Sequence, residues 1–189
     1  MRKVSVFNQI SLDGYFTDAK ADMSWAHEGS DDPEWKAWVA GNASSDDGTL
    51  LFGRITYQLM AGYWPTPMAA QHDPKVAEGM NRLKKVVFSR TLESVSWSNT
   101  TLVKNDPAAA VRKLKEEPGA DMVIMGSGSI VSLLAEEGLI DAYTFVISPL
   151  ALGQGRTMFE SVTKRVNMKH TNTRTFKNGK VVVDYESMK

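Results

Sequence analysis

Cysteine is absent from this chain, which excludes disulfides, a thiolate nucleophile and every zinc site that uses cysteine ligands. An excess of either charge is also absent, because 22 Lys and Arg balance 22 Asp and Glu. No global field therefore draws the protein to nucleic acid or to an anionic membrane, and any bound anion has to be met locally. No apolar run approaches the roughly 20 residues that span a bilayer. The amino-terminal MRKVSVFNQISLDG alternates apolar and polar residues and has neither a long apolar core nor a cleavage site, so it reads as a strand and not as a signal peptide. The expected location is the cytoplasm. Repeats, low-complexity tracts and linkers are missing as well, which leaves a single domain over residues 1–189.

What is present is a recurring unit of strand, turn and helix. TLLFGRITYQLM predicts a strand over residues 49–52, then a helix with Thr56, Leu59, Met60 and Tyr63 on one face, stopped by Pro65. PKVAEGMNRL carries Val76, Met80 and Leu83 at helical spacing and leads into a strand in KKVVF. DPAAAVRKLKEEPG is a helix opened by Asp106 and Pro107, and it leads into the strand MVIM. An earlier helix over about 33–41 starts behind Ser30, Asp31 and Asp32, with Trp35, Trp38 and Val39 as a core stripe. From residue 141 the texture is strand: DAYTFVISPLAL is a long β segment, GQGRTMF a loop, and NMKHTNTRTFKNGKVVVDYESM a hairpin closed by the two-residue turn Asn178-Gly179. Tyr143, Phe145 and Ile147 alternate on one strand and fit either a core or an interface between two copies.

Three strand ends carry groups suited to an anion. Gly53, Arg54 and Thr56 follow TLLF, Ser89 and Arg90 follow KKVVF, and Gly126, Ser127, Gly128 and Ser129 follow MVIM, with Ile130 opening a helix. Helical crossovers would make these strands parallel and bring their ends to one edge, where open α/β sheets bind ligands. The GSGS turn would offer backbone N–H groups and the positive end of a helix to a pyrophosphate. Ser89 and Arg90 suit a further phosphate, such as the one that distinguishes NADP from NAD. The Rossmann fingerprint is not met, since Val131 takes the place of its third glycine and Asp141 comes too early to hold a ribose. Singly these are ordinary turns and surface residues; their joint occurrence points to a nucleotide.

With those residues in hand, the chain resembles the dihydrofolate reductase-like superfamily, and within it the RibD C-terminal domain family of riboflavin-biosynthesis reductases. GLIDAYTFVISPLALGQGRTMFE, residues 138–160, is similar to the riboflavin-reductase pattern of Gly-Leu-hydrophobic-Asp, strand, Pro, Gly-x-Gly and Phe, and SLDG at 11–14 is a second match. LFGRITYQLM instead resembles the Gly-Arg-x-Thr helix start of dihydrofolate reductase, whose double glycine stands where this chain has Gly126-Ser127. The resemblance implies an α/β fold with a central mixed, mostly parallel sheet flanked by helices and a C-terminal antiparallel hairpin. It implies NADPH as cofactor, with Gly53, Arg54 and Thr56 at its phosphates, Ser89 and Arg90 at the 2′-phosphate, Gly126 to Ile130 at the pyrophosphate, and Gln9 in the strand beneath the nicotinamide. The implied reaction is hydride transfer to a small heterocyclic substrate of pterin, pyrimidine or flavin-precursor type. Asp13 and Asp32 are the candidate acids, and Trp25, His27 and Asp32 the candidate substrate contacts. The residues themselves leave alternatives: Asp13 fits a turn, and Asp32 fits a helix cap. A zinc deaminase half is excluded by the lack of cysteine. A nucleotide-binding protein without turnover is the alternative function, a homodimer is the implied assembly, and no metal is expected.

Overall fold

The alternation in VSVFNQIS builds β1 (Val4–Ser11), which turns Val4 and Val6 into a buried cluster on one face and Ser5 and Phe7 towards the other. The computed structural model describes residues 1–29, 31–43 and 47–188, so Ser30 in the expected helix start lies outside the described residues. After β1 come β2 (Tyr15–Asp18), one turn of 3-10 helix (Ser24–His27), α1 (Pro33–Ala43), β3 (Thr49–Gly53), α2 (Arg54–Tyr63), α3 (Pro67–His72), α4 (Pro74–Arg82), β4 (Lys84–Phe88) and β5 (Thr100–Val103). The chain continues through α5 (Pro107–Glu116), β6 (Met122–Met125), α6 (Gly128–Glu136), β7 (Ala142–Ser148), β8 (Gly155–Thr157), β9 (Met168–Thr175) and β10 (Val181–Ser187).

An eight-stranded sheet runs in the order β5-β4-β3-β6-β1-β7-β10-β9. The strands from β5 to β7 are parallel, and the terminal hairpin is antiparallel. This is the mixed, mostly parallel α/β sheet that the sequence predicts, and it puts the carboxyl ends of all the parallel strands on one edge. Helices α5 and α6 cover one face with a continuous core that includes Val111, Ile124, Leu134 and Tyr143. The opposite face is covered in two patches. Leu50, Phe52, Tyr57 and Met80 form one under α2 and α4, while Trp35, Val146, Phe176 and Val182, with Trp38 and Val39 against them, form the other under α1. Between the patches the sheet floor is open as a groove of about 510 Å³, lined among others by Phe7, Trp38, Met60, Trp64, Val123 and Met125. Tyr143 and Phe145 are 1% and 7% exposed, stack at 6.1 Å and belong to the core, while Ile147 is half-buried.

Some of the sequence expectations change. Part of GQGRTMF, expected as loop, is β8, which pairs antiparallel with β2 in a separate ribbon. A Cβ on Gly155 would lie 2.0 Å from the carbonyl oxygen of Thr17, so this ribbon closes only on glycine. The hairpin turn is longer than Asn178-Gly179 alone: Phe176 N–H donates to Lys180 O at 2.9 Å, Gly179 N–H donates to Phe176 O at 3.0 Å, and Gly179 has φ +83°. That is a three-residue loop with its glycine in the left-handed position. β2, β5 and α3 went unread because each is a short element with no periodic stripe.

Candidate active site

Paired strands β3 and β6 release their helices to opposite faces. α2 packs with Phe52 and Met80, whereas α6 packs with Ile124 and Val111. Such a reversal is a topological switch point, and it opens a crevice at the carboxyl edge. Its two walls touch. Gly53 N–H donates to Ser127 Oγ at 2.7 Å, and a Cβ on Gly126 would lie 3.1 Å from Thr56 Cγ2. Gly126 and Ser127 are consecutive left-handed residues, at φ +63° and +61°, joined by a trans peptide. For serine that conformation costs about 1–2 kcal/mol, and the hydroxyl bond to Gly53 helps to hold it. Ile130 is buried with Cγ1 beside Gly53, and Gly128 is buried with the Phe16 ring packed on it.

The remaining anion-binding candidates line the same edge. Arg54 is exposed, with Nη1 at 3.0 Å from Gln58 Oε1; Thr56 is half-buried, and Ser129 is exposed. Ser89 and Arg90 follow β4, the next strand over. The Ser89 hydroxyl accepts from Leu92 N–H at 2.9 Å and so shapes the turn, leaving Arg90 exposed beside it. On the other side of β6, Gln9 is half-buried near the carboxyl end of β1.

Both candidate acids hold the scaffold together. Asp13 is exposed, and its carboxylate accepts from Ser11 Oγ at 2.6 Å, Gly153 N–H at 2.7 Å and Leu152 N–H at 3.1 Å. The Ser11 hydroxyl first, and then Gly153 N–H, bring its pKa down from 3.8 to about 2. Because the folded value lies below the unfolded one, this anchor is present above the unfolded pKa and is lost as pH falls through about 2. Asp13→Asn is therefore expected to lower the melting temperature at neutral pH and to converge with wild type as the acid limit is approached. Circular-dichroism melts across the acid range test this, and a gap of constant size would refute it. Asp32 caps α1 by accepting from Glu34 N–H at 2.9 Å, and its other oxygen accepts from Asn178 N–H at 3.1 Å. Burial pushes its pKa up, but the N–H groups of Asn178, Trp35 and Glu34 outweigh that and leave it lowered.

The 3-10 turn places Trp25 at 7% exposure and leaves His27 exposed. Trp25 Nε1 is buried without a hydrogen-bond partner among the described residues. A buried unpaired donor carries a desolvation cost of about 1–3 kcal/mol, a cost that this enclosed N–H bears in the structure. Sequence reasoning missed Lys180, which is 1% exposed with its ammonium among Gln9, Ala26 and Ser148. One signal was available: Lys180 shares the parity of Phe176 and Val182, both of which point inward.

The profile of the RibD C-terminal domain matches residues 2–182. This chain belongs to that family. YyaP of Bacillus subtilis, itself uncharacterized, is 28% identical over 184 residues, which cover 97% of this chain and 94% of YyaP. Among solved structures the family fold is similar to the Thermotoga maritima diaminohydroxyphosphoribosylaminopyrimidine deaminase/5-amino-6-(5-phosphoribosylamino)uracil reductase, with a TM-score of 0.68 and 15% identity over 99% of this chain and 57% of that one. It is also similar to dihydrofolate reductase from Enterococcus faecalis complexed with NADP(H), with a TM-score of 0.64 and 12% identity over 99% and 97% of the two chains. The family stretch GLIDAYTF is scaffold in this structure. Leu139 N–H closes the end of α6 on Leu134 O at 2.9 Å, and Asp141 accepts Val4 N–H at 2.8 Å as β1 and β7 begin to pair. Among the described residues no helix is long and apolar enough to cross a membrane.

Proposed function

We propose that the protein is an NADPH-dependent reductase that transfers a hydride to a small heterocyclic substrate. The observation that carries this reading is the crevice between β3 and β6, where two helix amino termini meet on a loop whose Gly126 has Thr56 packed tightly against it. The residues present fit a dinucleotide. Backbone N–H groups from Gly126 to Ser129, with Arg54 and Thr56, would hold the pyrophosphate, Ile130 would close the loop beneath it with its N–H on Ser127 O, and Ser89 and Arg90 would hold the 2′-phosphate. Gln9 and the end of β1 would lie beneath the nicotinamide. The bound nicotinamide would supply the hydride.

The chain's own task is positioning, exclusion of water and a proton. The groove floor of Phe7, Val123 and Met125, walled by Trp38, Met60 and Trp64, would take a flat ring, with Asp47, Asp121 and Asp184 also on the lining. Asp13 and Asp32, both held ionised, fix the segments that they bridge, and His27, exposed on the 3-10 turn, would be the proton donor.

NADPH at about 100 times its dissociation constant is expected to stabilise the fold by about 2.7 kcal/mol, with NADH giving much less. A charge-assisted hydrogen bond contributes about 1.5–3 kcal/mol, so Arg90→Ala should bring NADPH down to the level of NADH. Thermal-shift titration reads both, and no shift with either nucleotide would end the cofactor reading. NADPH binding without oxidation across a panel of pterins, pyrimidines and flavin precursors would favour the binding protein without turnover.

A further inference from the structure

Lys180, at the tip of the β9–β10 hairpin, is 1% exposed. Its ammonium donates to Ala26 O at 2.8 Å, Ser148 Oγ at 3.2 Å and Gln9 Oε1 at 3.3 Å, and it lies 5.3 Å from the centre of the Trp35 ring. An ammonium has three N–H donors and no acceptor, so this set is complete. The acceptors come from separate places: the 3-10 turn that carries Trp25, the carboxyl end of β7 and the carboxyl end of β1. Lysine is almost never fully buried without a partner of opposite charge; among the described residues this one has no hydrogen-bonded carboxylate, its three acceptors are uncharged, and Glu28 acts on it only through space. An apolar residue like its inward-facing neighbours Phe176 and Val182 would fill the same space, but it would not tie three chain segments together.

The rest of the tip grips the same region. Asn178 Nδ2 donates to Gly29 O at 2.9 Å and Asn178 N–H to Asp32 at 3.1 Å, while Phe176 meets Trp35 edge-on at 5.2 Å. We propose that Lys180 is a positioning residue that latches the Trp25-bearing turn onto the carboxyl edge of β1 and β7 and keeps that turn in place beside a bound nucleotide. The ligand in that statement rests on the proposed function; the latch itself does not. Because the ammonium only donates, it also fixes the Gln9 carboxamide with its oxygen towards Lys180, which leaves the NH2 end to donate elsewhere.

The test uses the full chain and two methionine variants. Lys85 is the control: it is also 1% exposed and has three carbonyl acceptors, on Asn81, Leu83 and Ser98, but near the amino end of β4, away from the crevice. Followed by mass spectrometry, hydrogen exchange of residues 22–29 is expected to accelerate in Lys180→Met by about tenfold to a hundredfold, the loss of a charged hydrogen bond. Peptides from β4, β5 and α5 should keep their wild-type rates. NADPH, followed by tryptophan fluorescence in stopped flow, should leave Lys180→Met about tenfold faster. Lys85→Met should lower the melting temperature and change neither readout. If Lys180→Met does not fold, Ser148→Ala removes one acceptor and should shift exchange at 22–29 in the same direction by less. Unchanged exchange at 22–29, or equal acceleration throughout the chain, would overturn the latch. Should the wild type bind no NADPH, the proposed function falls, and the exchange measurement still decides the latch.

Discussion

Gly126→Val is expected to abolish stabilisation by NADPH, weakening its binding more than about a hundredfold, the affinity equivalent of about 2.7 kcal/mol. Two effects combine. Gly126 has φ +63°, and a side chain in the left-handed region costs about 1–2 kcal/mol, with β-branched residues the worst suited. A Cβ there would also stand 3.1 Å from Thr56 Cγ2, on the wall that closes the crevice. Overpacking of this kind costs about 1–3 kcal/mol, so the folded state survives with a lower melting temperature while the approach of a pyrophosphate to the loop backbone is blocked. Gly126→Ala should fall between valine and wild type. Calorimetric titration separates the outcomes: a valine variant that binds NADPH with wild-type affinity would move the dinucleotide away from this loop.

Asp141→Ala is expected to give the largest loss of stability, about 3–5 kcal/mol, because it leaves a buried ammonium without its counter-charge. Lys115 pairs with Asp141 and also donates to Leu139 O at 3.1 Å, and the side chains are 9% and 17% exposed. The same carboxylate oxygen accepts Val4 N–H at 2.8 Å, so alanine removes the partner of a backbone donor as well. Asp141→Asn keeps an oxygen for Val4 and should lose less. Replacing Lys115 by Met together with Asp141→Asn should recover part of the loss, since removing both charges avoids the unpaired one. Urea unfolding measures the series; an alanine variant within about 1 kcal/mol of wild type would mean that the pair is as solvated as a surface one.

These residues also separate what could be read from the sequence and what could not. Gly53, Thr56, Gly126, Ser127 and Ile130 follow apolar strands directly, and parallel pairing with crossover helices brings such ends together without further information. Asp106 was legible as a cap because capping is a contact of near neighbours, and its side chain accepts Ala109 N–H at 2.9 Å. Asp32 was legible only in part. Its cap is local, but its bond to Asn178 spans 146 positions. Lys180 and the β2–β8 ribbon were missed for the same reason. Their partners lie far away in sequence, and neither a lysine after Asn-Gly nor a three-residue strand carries a periodic pattern that names such a partner. Asp141 was read as a family signature, and its physical use emerged only with Val4 and Lys115 beside it.

The bond from Gly53 to Ser127 joins two bodies of side chains that lie on opposite faces of the sheet and meet at this crevice. One body is held by α2 and α4 and the other by α5 and α6, and each could open while the other stayed closed. A molecule seated across that bond touches both, so neither can loosen without releasing it. Occupancy of the crevice would thus couple two otherwise separate opening equilibria into one, and protection against exchange would rise together on both faces of the sheet and not only where the ligand touches.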